Sequence, residues 1–346
     1  MKIAIVTDAW FPQTNGVVKT LATTADRLRR FGHEVCVIEP TQFRTFPCPT
    51  YPEIRLAWFP YRRLERLLRE FAPDAIHVAT EGTLGSGARQ WCLRHRIGFT
   101  TSYHTQFPEY LRARAPIPLS LSYAHLRRFH SAAVRTMAAT PSLQRQLEAR
   151  GFRNIVRWTR GVEVELFKPR DRQHLPYPRP IAIYVGRVAV EKNIEAFLRF
   201  AWPGTKIVVG DGPARQALQV RYPEAKFTGY KYGEELAGYI AAADVFVFPS
   251  RTDTFGLVLL EALACGVPVA AYPVTGPIDV IRPGVTGVLD QDLRAAAFAA
   301  LRLDPKRCRA HALEHTWEAA TRQFLGNLAP RGNGIAGAEL AEAAVP

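Results

Sequence analysis

Short runs of β-type residues, mostly apolar, alternate along this chain with stretches of helical periodicity, and that alternation restricts the fold more than any other feature. The runs 3–7, 35–39, 75–79, 99–103 and 135–139 have strand character, and the segments 17–31, 62–71, 84–95 and 141–150 between them have helical character. A second series follows, with strand-like runs at 181–185, 206–209, 226–228, 245–248 and 267–271. Strands that are apolar on both faces and joined by helices imply parallel sheets covered on both sides. The expected fold class is therefore α/β, with two doubly wound, Rossmann-like parallel-sheet domains facing a central cleft. In such sheets ligands bind at the carboxyl ends of the strands.

A chain of 346 residues accommodates two such domains. The expected boundaries are a first domain over 1–168, a polar, Pro-rich linker over 169–180 and a second domain over 181–304. Residues 305–328 read as one helix, within a 305–330 segment. The Gly- and Ala-rich tail 331–346 is expected to be disordered. The five cysteines are far apart and lack the spacing of a metal site or redox pair. The first residues have one charge and too short an apolar run for a signal peptide, so they read as a buried strand. The longest apolar stretch, 257–272, is interrupted by Glu261, Gly266 and Pro268, so no spanning helix is expected. A net charge of +14 and a pI of about 9.9 favour anionic partners, or serve as a solubilising surface.

Chemistry concentrates at four strand ends. Residues 246–262 run from a strand through a polar loop with Asp253, Phe255 and Gly256 into an apolar helix from Leu257. Free N–H groups at such a helix start suit a phosphate. Asp253 and Glu261 bracket it, eight residues apart; they suit the hydroxyls of a ribose and a hexose, or alternatively a helix cap and a solvated position. At 183–193, Gly186 allows close approach of a ligand, and Arg187 and Lys192 can reach one diphosphate, unless they are surface cations. At 7–18, Asn15-Gly16 is a turn that can open a helix and expose N–H groups. At 101–107, His104 ends a strand, in a position open to a ligand or to a structural role.

Three further stretches are weaker. Gly210-Asp211-Gly212-Pro213 lacks the third glycine of a dinucleotide fingerprint, because Arg215 stands in its place. Asp290-Gln291-Asp292 has the spacing of a metal-binding carboxylate pair but directly precedes a helix, which favours capping. The region 110–130, with Tyr110, Arg112, Arg114, Arg127 and Arg128, is basic and apolar at once. It suits either an anionic bilayer or a solvated helix face.

The segment around Asp253, Phe255, Gly256 and Glu261 resembles the signature of retaining glycosyltransferases of family 4, which have the GT-B fold. Asp253 replaces the usual first Glu. The Gly186-Arg187…Glu191-Lys192-Asn193 string is similar to a second family motif, and the Asn15-Gly16 turn to the family's glycine loop, with Asn in place of the first Gly. The resemblance covers nearly the whole chain and extends to bacterial lipid glycosyltransferases and GDP-mannose-dependent mannosyltransferases. It implies that Arg187 and Lys192 neutralise a leaving diphosphate, that Asp253 and His104 position the hexose, and that Glu261 holds ribose hydroxyls. It also implies donor contacts from Gly16, Gly186, Gly210, Gly212, Phe255, Gly256 and Leu257, a last helix crossing back to the first domain, and no required metal or cofactor. Asn15, Tyr110 and the basic arginines fall on the acceptor and membrane side.

The expected activity is transfer of a hexose or hexuronic acid from UDP-glucose, UDP-glucuronate or GDP-mannose to a membrane lipid such as diacylglycerol, by an enzyme peripheral to the cytoplasmic face of the membrane. A soluble sugar, polyol or polysaccharide precursor is the alternative acceptor. A dinucleotide-dependent enzyme would need a complete glycine fingerprint. A nucleic-acid-binding protein would need interleaved aromatic and basic residues or a binding module. The sequence has none of these, so no nucleic-acid partner is expected.

Overall fold

The structure, a computed structural model, describes residues 1–13, 15–48, 51–112, 117–171 and 175–330 (for 51–53 the backbone alone). Arg114 and the tail 331–346 lie outside the described residues. The chain forms two compact units. Met1–Thr159 and the segment from Thr321 onward make one, and Arg160–Ala320 makes the other.

The first unit contains β1 (Lys2–Val6), α1 (Gly16–Arg30), β2 (Glu34–Ile38), β3 (Thr45–Cys48), β4 (Tyr51–Ala57), α2 (Tyr61–Phe71), β5 (Ala75–Val78), α3 (Thr83–Arg94), β6 (Thr100–Tyr103), α4 (Phe107–Arg112), α5 (Leu119–His130), β7 (Arg135–Ala138), α6 (Pro141–Ala149) and β8 (Ile155–Arg157). A parallel sheet runs β2-β1-β5-β6-β7-β8. β1 shows why the apolar runs are continuous. Ala4 and Val6 pack with Leu64 and Leu68 of α2 and Leu84 of α3, whereas Ile3 and Ile5 pack with Leu21, Ala25 and Leu28 of α1. Alternate side chains enter opposite layers, and each large one contributes about 1.5–3 kcal/mol on burial.

The second unit contains β9 (Ile181–Val185), α7 (Ile194–Arg199), β10 (Thr205–Val209), α8 (Arg215–Arg221), β11 (Lys226–Gly229), α9 (Gly233–Ala242), β12 (Val245–Phe248), α10 (Leu257–Ala264), β13 (Val269–Ala271), α11 (Pro277–Val280), β14 (Gly287–Leu289), α12 (Leu293–Ala300) and α13 (Pro305–Leu313). Its sheet is also parallel, in the order β11-β10-β9-β12-β13-β14. The last helix, α14 (Trp317–Asn327), starts in the second unit and ends in the first.

Three expectations are corrected. The segment 169–180 is not the passage between units, because the chain changes unit at Thr159/Arg160. Residues 160–168 belong to the second unit: Val162 N–H donates to the His315 carbonyl, and the Arg309 guanidinium donates to the carbonyls of Val164 and Phe167. The proline and polar residues at 169–171 and 175–180 are exposed or half-buried. The helix expected over 305–328 is two helices, and Thr316 Oγ1 accepts from Ala319 N–H at the start of the second. The antiparallel hairpin of β3 and β4 was not foreseen, because Pro47 and Pro52 stand inside its strands. A two-stranded ribbon has open edges that accept proline.

Candidate functional site

In the second sheet the strand order reverses direction between β9 and β12, which pair directly. Loops that leave neighbouring strands at such a point diverge and leave a crevice at their carboxyl ends. The β9 loop carries Gly186, Arg187 and Lys192. The β12 loop carries Asp253 and leads to Gly256 and α10. Lys192 Nζ donates to Asp253 Oδ2 at 2.9 Å, and Asn193 Nδ2 donates to the Pro249 carbonyl at 3.0 Å, so the two loops are tied together. The other Asp253 oxygen accepts from the N–H groups of Thr254 and Phe255 at 2.9 and 3.3 Å. Arg187 Nη1 lies 3.6 Å from Glu191 Oε1, and the side chains are 29% and 3% exposed. Tyr184 Oη donates to the Arg187 carbonyl at 2.9 Å. Two cations thus stand partly open to solvent, each steadied by a carboxylate.

Gly256 is the residue before α10 and has φ 82, in the left-handed region that favours glycine. No side chain caps α10, so its first N–H groups face outward from the helix start. Phe255 and Glu261 are buried, and Leu257 opens the helix. Gly210 and Gly212 follow β10. Gly210 has φ 136, and a Cβ on it would lie 1.9 Å from the Gly186 carbonyl oxygen. These glycines let the β10 loop run against the β9 loop. Asp211 accepts from its neighbour Gly212 N–H and pairs with Arg215 at 2.7 Å.

Asp292 Oδ1 accepts from Arg294 and Ala295 N–H, and Asp290 Oδ1 from Asp292 N–H. That pair caps α12. Burial pushes the thiols of Cys92, Cys265 and Cys308 up to about 12, which leaves them unreactive.

In the first sheet the reversal falls between β1 and β5. Asn15 caps α1, its Oδ1 accepting from Val17 and Val18 N–H at 3.0 Å each. This corrects the expectation of exposed N–H groups at the Asn15-Gly16 turn: the Asn carboxamide already occupies two of them. Asp8 is the group that sequence reasoning missed. It is buried after β1 and accepts from Leu84 N–H (2.9 Å), Gly85 N–H (3.3 Å) and Thr80 Oγ1 (2.9 Å), and so closes the start of α3. Burial pushes its carboxyl up, against these hydrogen bonds. A lone Asp after an apolar run was the available signal.

His104 follows β6, half-buried, with its ring edge-on to Trp158 at 5.7 Å. Tyr110 and Arg112 lie on α4. Arg127 donates to the Arg150 carbonyl, and the Arg128 carbonyl accepts from Arg89. Most of the apolar side of α5 is in the core: Tyr123, Leu126 and Phe129 are buried, and Tyr123 and Leu126 pack with Leu143, Leu147 and Phe152, while Leu121 is exposed.

A family model described as Glycosyltransferase Family 4 matches residues 14–166, and one described as Glycosyl transferases group 1 matches residues 179–303. The chain is 33% identical to a GDP-mannose-dependent alpha-mannosyltransferase of Mycobacterium tuberculosis, over 95% of this chain and 93% of that protein. It is 25% identical to an alpha-monoglucosyldiacylglycerol synthase of Streptococcus pneumoniae, over 94% and 83%. Its fold matches the solved sucrose-phosphate synthase of Thermosynechococcus elongatus with a TM-score of 0.74, at 23% identity over 94% and 97% of the two chains. The two parallel-sheet units, the loops at the β9/β12 reversal and these likenesses together show that the chain is a glycosyltransferase of family 4, with the GT-B fold.

Proposed function

We propose that the enzyme transfers mannose, or another hexose, from a nucleoside-diphosphate sugar to a lipid acceptor such as diacylglycerol or a glycolipid built on it, with retention at the anomeric carbon. The 33% identity to a GDP-mannose-dependent enzyme supports the donor, and the likeness to a diacylglycerol-modifying enzyme supports the acceptor. Among the described residues no helix is long and apolar enough to cross a membrane.

The observation that carries the reading is the pair of partly open cations, Arg187 and Lys192, beside the uncapped start of α10. Departure of the sugar leaves negative charge on the diphosphate. Fixed cations and helix N–H groups stabilise that charge more in the transition state than in the bound donor. We assign Arg187 and Lys192 to the diphosphate, with Gly186, Gly210 and Gly212 allowing the donor close to the backbone. Asp253 steadies Lys192 and holds the hexose, and Glu261 holds the ribose. A donor phosphate oxygen takes the acceptor proton on the face the leaving group vacates. In the first unit the acceptor is assigned to the loops after β1, β5 and β6, His104 among them.

The test is a donor panel of GDP-mannose, UDP-glucose, UDP-glucuronate and UDP-galactose with mixed lipid extract or small soluble sugars and polyols as acceptor. An α-linked glycolipid formed from GDP-mannose is the expected product. Product only with soluble acceptors would overturn the lipid assignment, and product only with a UDP-sugar would overturn the mannose assignment.

A further inference from the structure

Away from the loops described above, the first unit holds two large apolar side chains side by side in solvent. Trp58 is 56% exposed and Phe59 is 83% exposed. Their rings meet edge to face at 5.1 Å, and Phe46 of β3 meets the Trp58 indole edge to face at 5.2 Å. Phe59 has φ 45, a left-handed conformation that a bulky residue adopts only at a cost. The chain thus accepts both solvent exposure and strain at one corner, where β4 turns into α2.

Positive charge predominates around that corner. Residues 43–71 contain six arginines and three glutamates. Glu65 and Glu70 are paired within α2, with Arg69 and Arg66. Arg44, Arg55, Arg62 and Arg63 are exposed, and among the described residues none of them pairs with a carboxylate. Arg63 lies over the Phe43 ring at 5.7 Å, and Arg55 donates to Thr45. Exposed aromatic rings beside unpaired arginines match an anionic bilayer, where indoles occupy the headgroup level and arginines meet lipid phosphates. A second copy meeting this corner about a two-fold axis would present the same arginines, whose charges repel. The basic helix α5 exposes a single large apolar side chain, Leu121, and no Phe, Tyr or Trp ring, and it keeps Tyr123, Leu126 and Phe129 in the core.

We propose that the β4–α2 corner, with Trp58 and Phe59 inserted and Arg44, Arg55, Arg62 and Arg63 around them, docks the enzyme on an anionic lipid surface. The proposal deepens the lipid-acceptor reading, but docking is measured without donor and so is tested apart from it.

The experiment is sedimentation with phosphatidylcholine vesicles, with and without phosphatidylglycerol, for wild type, Trp58→Ala/Phe59→Ala, Arg62→Glu/Arg63→Glu and Arg127→Glu/Arg128→Glu. Circular dichroism melts and urea midpoints monitor the fold of each variant against wild type. Wild type pellets with anionic vesicles, and the first two double variants lose about tenfold or more in partitioning. The α5 variant binds as wild type does. Brominated lipid quenches wild-type fluorescence more than that of Trp58→Phe. Wild-type partitioning in the Trp58/Phe59 variant would overturn the proposal, as would loss confined to the α5 variant. A wild-type dimer that the Trp58/Phe59 variant turns into a monomer, with no vesicle binding, would assign the corner to a second copy instead. If docking depends on Trp58 but no lipid is glycosylated, docking stands and the acceptor reading falls. If the Trp58/Phe59 variant glycosylates vesicle lipid at the wild-type rate, the reverse holds.

Discussion

Lys192 and Asp253 are 61 residues apart in sequence and 2.9 Å apart in the fold, and much of the site's chemistry depends on that pair. If Arg187 and Lys192 carry the charge of the leaving diphosphate, Lys192→Ala and Arg187→Ala each lower kcat by about two to three powers of ten, the scale of one lost electrostatic contact in a transition state. Steady-state kinetics with the productive donor of the panel checks this, and wild-type kcat in both would remove them from the site. Asp253→Asn keeps the caps on Thr254 and Phe255 but weakens the grip on Lys192, so kcat falls while the melting temperature stays near wild type. Gly210→Ala acts on structure instead. Its Cβ would lie 1.9 Å from the Gly186 carbonyl, at a φ that alanine avoids. Strain of about 1–3 kcal/mol is expected in denaturant unfolding, with weakened nucleotide binding as the loops part. The residue types at Arg187, Lys192, Asp253 and Gly210 were legible because each follows a strand. Their partners were not, since spacing along a chain does not reveal which loops meet. Asp8 stayed hidden for the same reason: its N–H donors lie more than seventy positions away.

At the scale of elements, the break between α13 and α14 sets a pH dependence. His315 sits in it, with Nδ1 beside the His311 carbonyl at 3.2 Å and its own carbonyl accepting from Val162. Burial, and then the neighbouring His311, lower its pKa below the ordinary 6.5. Above 6.5 both folded and unfolded chains hold it neutral, and its contribution to stability is complete. As pH falls through the window below 6.5, the unfolded chain takes the proton first and stability drops. Urea midpoints at about pH 7.5 and about pH 5.5 test this: His315→Gln flattens the difference, and an unchanged difference would show that other groups carry it. The break itself was readable in part. Thr316 is a capping residue one position before Trp317, but a continuous helical composition on both sides concealed it. The main strands and helices were legible within a few residues because their apolar periodicity is strong. The three-residue strands β8 and β14 were not, because so short a run has no period to read; β13, equally short, was read because it lies within the longer apolar run 267–271.

At the scale of the molecule, the two units differ in how the chain builds them, and this gives a test that neither sheet alone would suggest. The second unit is continuous from Arg160 to Ala320, with its own core of β9, β10, β12, α7 and α12 side chains. It also keeps Trp317, which is 1% exposed, and places Gly161 so close to the Trp317 backbone that a Cβ would lie 2.3 Å from its nitrogen. The first unit is discontinuous. Phe324 is fully buried against Trp158 and His77, with ring centroids at 4.7 and 4.9 Å. Gln323 accepts from Thr159 N–H, Asn327 donates to the Arg157 carbonyl, and Arg135 donates to the Gly326 and Asn327 carbonyls. A fragment 1–159 loses all of these at once. Removing a buried Phe side chain alone costs about 3–5 kcal/mol, against a typical total of about 5–15 kcal/mol for a domain. Fragment 160–320 is therefore expected to unfold cooperatively and to bind GDP or UDP through the β9 and β12 loops. Fragment 1–159 is expected to lack a sharp transition, and a peptide of residues 317–330 added in trans restores one. Circular dichroism melts and calorimetric nucleotide titrations read both results. A cooperatively folded 1–159 would show that α14 is dispensable to the first unit. A folded 160–320 that binds neither nucleotide would remove the donor from the β9/β12 reversal.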